Sequence, residues 1–132
     1  MTRQYVFQIE PVAKGRPRIT TIGGSVRSFT PLKTRTYEAC LARLAKLQNE
    51  DNGWNILDEP LSVKALFFLK KPKSAKKRNY PTSRPDLDNF LKCLDSFNGI
   101  IWSDDSLICR IITSKEYSTS DGFIILEVET IQ

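Results

Sequence analysis

The stretch LSVKALFFL, residues Leu61 to Leu69, decides the fold of this chain. Its apolar residues are nearly continuous, and several are aromatic or β-branched, which favours a strand buried on both faces of a sheet. The run is far too short to cross a bilayer. We therefore predict a central β-strand here.

Upstream of this strand, the chain predicts a strand, a loop and a helix. Gln4–Ile9 alternates and is β-rich, so it predicts a first strand that ends at Pro11. Residues 12–31 are rich in glycine, proline and basic residues, which indicates a long mobile loop. The pair Thr30-Pro31 predicts a helix entry, with the threonine as N-cap, and apolar spacing of three and four continues to about Gln48.

Downstream, the chain predicts a loop, a second helix and two strands. Lys70–Arg84 is a basic loop, and a helix begins near Asp86 and stops at the next Asn-Gly pair. Ile108–Thr113 and Phe123–Val128 are predicted to be two strands that form a hairpin around Ser118–Gly122.

The resulting order, β-α-β-α-β-β, predicts an α+β fold. We expect a single two-layer domain over residues 1–132, in which a mixed four-stranded sheet packs against two main helices. A chain of this length can bury one core. The first residues lack the apolar stretch of a signal peptide, so we expect a cytoplasmic location.

The residue types present in the chain limit the kinds of catalysis that it could perform. The chain has no histidine, which excludes serine–histidine and cysteine–histidine catalysis and histidine zinc sites. Cys40, Cys93 and Cys109 are far apart and lack a C-x-x-C spacing, so we expect buried or half-buried thiols rather than a metal site. Any catalysis must use carboxylates, lysines and a bound metal.

The net charge of +5 is unevenly distributed along the chain. Residues 61–84 carry eight Lys/Arg and no acid, whereas residues 85–132 carry nine acids and three Lys/Arg. This pattern favours a polyanion that approaches a cluster of carboxylates, although basic loops can also be solvated surface. The predicted nucleic-acid contacts in the basic segments are Lys14, Arg16, Arg18, Lys73, Lys76, Lys77 and Arg84.

The candidate site residues lie in RPDLDNFLK, residues 84–92, and in WSDD, residues 102–105. Asp86 and Asp88 fall in the first turn of the predicted second helix, and Lys92 shares a face with Asp88 at i,i+4. The Asp104-Asp105 pair can fold back beside them. Clustered carboxylates repel one another and persist most readily around a divalent cation, and Mg²⁺ with phosphate oxygens suits such a set.

Each of these residues also has a structural alternative. Asp86 can be a helix N-cap, and Asp88 a first-turn acid that favours the helix dipole. The Asp88–Lys92 pair can be a surface ion pair. Asp104-Asp105 can form a turn. Only their combination with the basic segments favours a metal site.

The pattern D-x-D-N-x-x-K, followed by W-x-D-D, resembles the signature of the RusA-like crossover-junction endonucleases, in the form common in Gram-positive bacteria and their phages. The segments KGRPR, residues 14–18, and FTP, residues 29–31, add to the resemblance, which covers essentially the whole chain.

The resemblance implies a homodimer that resolves four-way DNA junctions by paired, Mg²⁺-dependent nicks, with Mn²⁺ as a substitute. It assigns the metal ligands to Asp86, Asp88 and Asp105 and the catalytic lysine to Lys92, and it leaves the role of Asp104 open. Two alternatives remain: an inactive DNA-binding or adaptor protein on the same fold, and a nuclease for other branched DNA.

Overall fold

A computed structural model describes residues 2–14, 18–29 and 31–131, and for 18–22 and 25–29 it describes the backbone alone. The α+β class and the order of the main elements are confirmed. The strands and α-helices are β1 (Thr2–Phe7), β2 (Arg18–Ile22), β3 (Ser25–Phe29), α1 (Leu32–Asn52), β4 (Leu61–Lys70), α2 (Leu87–Leu91), β5 (Ile108–Ser118) and β6 (Phe123–Thr130). Three short 3₁₀-helices cover Lys73–Ala75, Lys92–Phe97 and Asp105–Leu107.

The four-stranded sheet has the order β1-β6-β4-β5, and the prediction that β4 is central is confirmed. β4 pairs parallel with β5 and antiparallel with β6. The predicted hairpin of β5 and β6 is therefore wrong, because the two strands lie on opposite sides of β4. The apolar pattern marks each strand, but it does not specify which strand is its neighbour.

One hydrophobic core lies between the sheet and the helices. Along β4 the buried side chains alternate with half-buried ones, so one face of this strand is fully buried and the other, predicted to be buried as well, is only partly covered. α1 buries residues three or four apart, as its predicted periodicity requires. Asn49 on α1 accepts a hydrogen bond from the Tyr5 hydroxyl at 2.6 Å and donates to the carbonyl of Ile100 at 2.9 Å. This buried polar link ties β1, α1 and the segment before Trp102 together.

The segment predicted as a loop over 12–31 contains a second, two-stranded sheet. β2 and β3 pair antiparallel across Gly23 and Gly24, whose φ angles are 56° and 81°. Two successive positive φ angles are those of a tight type I′ turn, which glycine adopts without steric cost. The two glycines therefore mark a hairpin rather than an unstructured loop.

The helices also differ in length from the predictions. α1 continues past Gln48 to Asn52 and ends at Gly53, which adopts the left-handed conformation at φ 66°. The second helix is shorter than expected, because only Leu87–Leu91 is α-helical and the chain continues as the 3₁₀-helix Lys92–Phe97. The predicted N-cap Thr30 lies outside the described residues. No described helix is long and apolar enough to cross a membrane.

The three cysteines are free thiols in unequal environments. Cys93 is buried and Cys40 is half-buried, as predicted, but Cys109 is exposed. Burial raises the pKa of Cys93 to about 12, so this thiol stays protonated and packs as a small apolar side chain. Cys109 lies near the start of the edge strand β5, where residues 109–112 are all exposed.

Candidate active site

Asp86 and Asp88 are presented at the start of α2. Asp86 occupies the N-cap position in an extended conformation (φ −69°, ψ 150°), but its side chain makes no capping hydrogen bond. Asp88 lies in the first turn, and both carboxylates are exposed. The structural alternative in which Asp86 caps the helix is therefore not formed, and both acidic side chains face solvent.

The segment before Asp86 is anchored to the sheet by one lysine. The Lys115 ammonium on β5 donates hydrogen bonds to the carbonyl oxygens of Ser83 at 3.1 Å and Pro85 at 3.0 Å. The intervening Arg84–Pro85 peptide bond is cis. Charge-assisted bonds of this kind are stronger than neutral ones. Lys115 therefore holds the backbone that leads into Asp86 against β5.

The Lys92 side chain contacts Asn89 rather than Asp88. Its ammonium donates to the Asn89 amide oxygen at 3.0 Å, and no ion pair with Asp88 is formed within the described part of the chain. The alternative in which Asp88 and Lys92 form a surface ion pair is therefore not formed, and Lys92 begins the 3₁₀-helix that follows α2. The Lys92 ammonium is exposed and free to meet an anion.

The second acidic segment is positioned by buried Trp102. The indole N–H donates to the Asn98 amide oxygen at 2.8 Å, and the backbone N–H of Ser103 bonds the carbonyl of Leu57 at 3.0 Å. Asp104 then begins the 3₁₀-helix Asp105–Leu107 and caps it, since its carboxylate accepts from the Ser106 backbone N–H at 3.1 Å. Hydrogen bonds from the side chain and backbone of Ser106 lower the pKa of Asp104, which is a turn residue here.

Asp105 has a different partner. A hydrogen-bonding contact with the carboxyl group of Asp95, which lies in the first turn of the 3₁₀-helix Lys92–Phe97, is the main cause that raises the pKa of Asp105; desolvation and the charge of Asp104 add to it. Two carboxylates held side by side repel each other when both are ionised. A cation between them would relieve that repulsion.

The predicted metal ligands are not assembled into one cluster. Over the described residues, no three Asp, Glu or Cys side chains lie close enough to hold one metal ion. The donor chemistry suits a hard cation such as Mg²⁺, which prefers carboxylate oxygens. In this structure, however, Asp105 adjoins Asp95 and not Asp86 or Asp88. The acidic residues therefore offer the oxygen ligands that a divalent cation prefers, but in this structure the described residues do not form a complete metal site.

The predicted DNA contacts fall into three groups. Lys73, Lys76, Lys77 and Arg84 are exposed on the segment between β4 and α2. Arg16 and the side chain of Arg18 lie outside what the structure describes. Lys14 is only 26% exposed, because its ammonium lies 3.5 Å from Glu38 and 3.9 Å from Asp95, and its backbone N–H bonds the carbonyl of Asn89.

Sequence reasoning missed Asp95, Lys115 and the structural role of Lys14. Asp95 lies in the acidic C-terminal segment and three residues after Lys92, which is the one signal that could have drawn attention to it. Nothing in the sequence marks Lys115, because its two acceptors are backbone carbonyls about thirty residues away. Both residues act through contacts that only the folded chain creates.

Replacing Lys115 with methionine should test this anchor. The variant keeps the apolar stem and removes two charge-assisted hydrogen bonds, each typically worth about 1.5–3 kcal/mol. Because the ammonium is partly solvated, we expect the free energy of unfolding to fall by roughly the lower value, as measured by urea denaturation. The matched control is Lys64→Met on the neighbouring strand, because among the described residues its ammonium makes only a surface ion pair, with Glu127 at 3.7 Å. An equal decrease in both variants would contradict the anchoring role.

The fold and this site together indicate the class of protein to which the chain belongs. Exposed acids at a helix start, an adjoining carboxyl pair and a flanking row of exposed cations are features of a protein that acts on a polyanion such as nucleic acid. The family model described as "Endodeoxyribonuclease RusA" matches residues 8–129. The chain belongs to this RusA endodeoxyribonuclease family.

A comparison with individual proteins gives a second similarity, which also covers most of the chain. The chain is similar to the protein of Bacillus subtilis (strain 168) named "Uncharacterized protein YqaN", with 32% identity over 121 residues that cover 83% of each chain. The likeness therefore covers most of both proteins, and the relative's name states no activity.

Proposed function

We propose that this protein is a Mg²⁺-dependent endonuclease that resolves four-way DNA junctions by paired phosphodiester hydrolysis. The observation that carries the proposal is the pair of exposed carboxylates, Asp86 and Asp88, at the start of α2, of which Asp86 makes no capping hydrogen bond, since free carboxylate oxygens are the ligands that a divalent cation favours. The family supports nuclease chemistry in general. We expect the protein to act as a homodimer, because paired nicks need two active sites, and to work in the cytoplasm, where bacterial DNA lies.

The proposed roles follow from where each side chain stands. Asp105, Asp86 and Asp88 would be the metal ligands, and the exposed start of α2 leaves the last two free to turn toward a cation. A bound Mg²⁺, or Mn²⁺ in its place, would supply Lewis acidity at the phosphate and a more acidic water. Lys92, steadied by Asn89, would offset negative charge at the scissile phosphate.

One observation favours a second candidate. Because no three-acid cluster is assembled in the described residues, a DNA-binding or adaptor protein that has lost catalysis is the main alternative. A nuclease for other branched DNA is the other. A pure binder gains nothing from carboxylates placed where phosphates approach, and this favours the enzyme.

Cleavage of synthetic substrates should decide between these candidates. We expect end-labelled four-way junctions to be cut symmetrically in Mg²⁺, and linear duplex of the same sequence to stay intact. Binding of junctions without any cleavage in Mg²⁺ or Mn²⁺ would support the inactive binder. Faster cleavage of flaps or three-way branches than of four-way junctions would support the broader nuclease.

The exposed lysines between β4 and α2 should carry salt-dependent DNA binding. The double variant Lys76→Ala/Lys77→Ala should weaken junction binding and reduce the log–log salt slope by roughly 0.9 for each phosphate that is no longer neutralised. The control is Arg43→Ala/Lys46→Ala, which removes the same charge from exposed positions on α1. Titrations at several salt concentrations measure both slopes, and equal slopes would show that only net charge matters.

A further inference from the structure

A cleft of about 700 Å³ opens directly beside the candidate active site. It lies between the segment after β1, the first turn of α1, the end of β4 and the residues just before α2. Its volume is in the range of pockets that bind small ligands. Arg84 and Pro85 line it, and Asp86 follows them directly, so anything bound in the cleft would be a neighbour of the proposed scissile phosphate.

The walls of the cleft are mainly apolar and include two aromatic residues, the half-buried Tyr117 and the buried Phe90. The apolar lining includes Pro11, Val12, Leu69, Pro72, Pro81 and Tyr117. Tyr117 stands beside Leu69 in the register of β5 with β4, and is half-buried there. The Lys71 ammonium lies 5.4 Å from the centre of its ring and restricts its position. Such a surface suits a flat, weakly polar ring system.

The rim of the cleft is cationic. Lys33, Lys70 and Arg84 line it and are exposed. The first turn of α1 also lines it and contains no acidic residue, so the positive end of this helix dipole adds to the attraction for an anion. The one acid in the lining, Glu10, is engaged, because its carboxylate accepts from the backbone N–H groups of Lys70 and Gly122.

We propose that this cleft binds one unstacked nucleotide of a branched DNA, a role that rests on the proposed function. Its base would lie against Tyr117 and the proline walls, and its phosphate would meet Lys33 and Arg84 at the rim. Duplex DNA keeps its bases stacked and paired, whereas a branch point releases bases from the stack at lower cost. The cleft would therefore favour branched over linear DNA close to the acidic side chains.

Two substitutions of Tyr117 test the stacking wall. Tyr117→Leu should weaken binding of a short oligothymidylate and of four-way junctions by about 5- to 150-fold, the factor that corresponds to one base–aromatic stack. Tyr117→Phe, which keeps the ring, should bind like the wild type. All three proteins should bind linear duplex equally. Fluorescence anisotropy in EDTA measures these affinities without cleavage.

A second pair of variants keeps the test decisive if Tyr117→Leu fails to fold, which thermal melting followed by circular dichroism would reveal. Lys33→Glu reverses one charge at the rim of the cleft, and Lys46→Glu makes the same change on the same helix, thirteen residues further along. We expect only Lys33→Glu to weaken oligothymidylate binding strongly. Equal effects of the two charge reversals, or wild-type binding by folded Tyr117→Leu, would overturn the cleft assignment.

The oligothymidylate assay separates this inference from the proposed function, because it needs neither a junction nor cleavage. If oligothymidylate binding depends on Tyr117 but junctions are never cut, the cleft assignment stands and the proposed activity fails. If junctions are cut and Tyr117→Leu binds oligothymidylate like the wild type, the proposed activity stands and the cleft assignment fails.

Discussion

Asp105→Asn should slow junction cleavage by roughly 10³-fold while the protein still folds and binds junctions at least as tightly as the wild type. Lewis-acid stabilisation by a metal is worth several kcal/mol, and each step of about 1.4 kcal/mol in the barrier is tenfold in rate. The substitution keeps size and turn-forming ability and removes one charge. It also ends the carboxyl contact with Asp95 and the repulsion of DNA phosphates.

The adjacent residue provides a matched control. Asp104 accepts a hydrogen bond from the Ser106 backbone N–H, and asparagine is as good a cap as aspartate. Asp104→Asn should therefore cut junctions nearly as fast as the wild type. Single-turnover cleavage of the two variants under identical conditions makes the comparison. Near-normal cleavage by Asp105→Asn would remove Asp105 from the active site and leave it as a turn residue.

The same reasoning extends to Asp86. Because its side chain makes no capping hydrogen bond, Asp86→Asn should leave the stability of α2 unchanged. Wild-type cleavage rates in both Asp86→Asn and Asp105→Asn would overturn the assignment of this site as a whole.

Removal of divalent cations should abolish cleavage and leave junction binding in place. We expect the exposed lysines and Arg84 to supply binding by contacts with phosphates, because such contacts need no metal. Cleavage in EDTA should fall to the uncatalysed level and return when excess Mg²⁺ or Mn²⁺ is added. Full cleavage in EDTA would exclude the proposed mechanism.

A readout independent of activity can support this result. A cation that binds only the folded protein stabilises it by RT ln(1 + [L]/Kd), which is about 2.7 kcal/mol at a hundredfold excess over Kd. Mg²⁺ should therefore raise the melting temperature of the wild type and have a much smaller effect on Asp105→Asn. Sodium chloride at the same ionic strength controls for general screening. Equal shifts in both proteins would place the cation elsewhere.

Most of the element order could be predicted from the sequence, because helix and strand periodicities are local properties of the chain. The apolar run Leu61–Leu69 was correctly predicted to be the central strand, and the alternation in Gln4–Ile9 correctly indicated β1. The acidic motif around Asp86 and Asp105 also led to the family that the comparison confirmed. Each of these predictions depended on residues close together in sequence.

Which strands of the sheet pair with each other could not be predicted in this way. β6 pairs with β1 and β4, although the short turn at Ser118–Gly122 suggested that it would pair with β5. A buried strand such as β4 needs a neighbour on each side, and the short turn does not decide which strands fill those places. The Gly23–Gly24 hairpin was missed because glycines mark both loops and tight turns.

What the sequence by itself determined is the class of chemistry that the chain could use: it has no histidine, so catalysis would depend on carboxylates and lysines, and its basic segments favour a polyanion as the partner. The tertiary structure alone decided which groups meet. It brought Asp95 into contact with Asp105, Lys115 with the carbonyls before Asp86, and Lys14 with Glu38. The reason is physical: residue types are properties of single positions, whereas these contacts join positions from ten to over thirty residues apart and exist only once the strands and helices have packed.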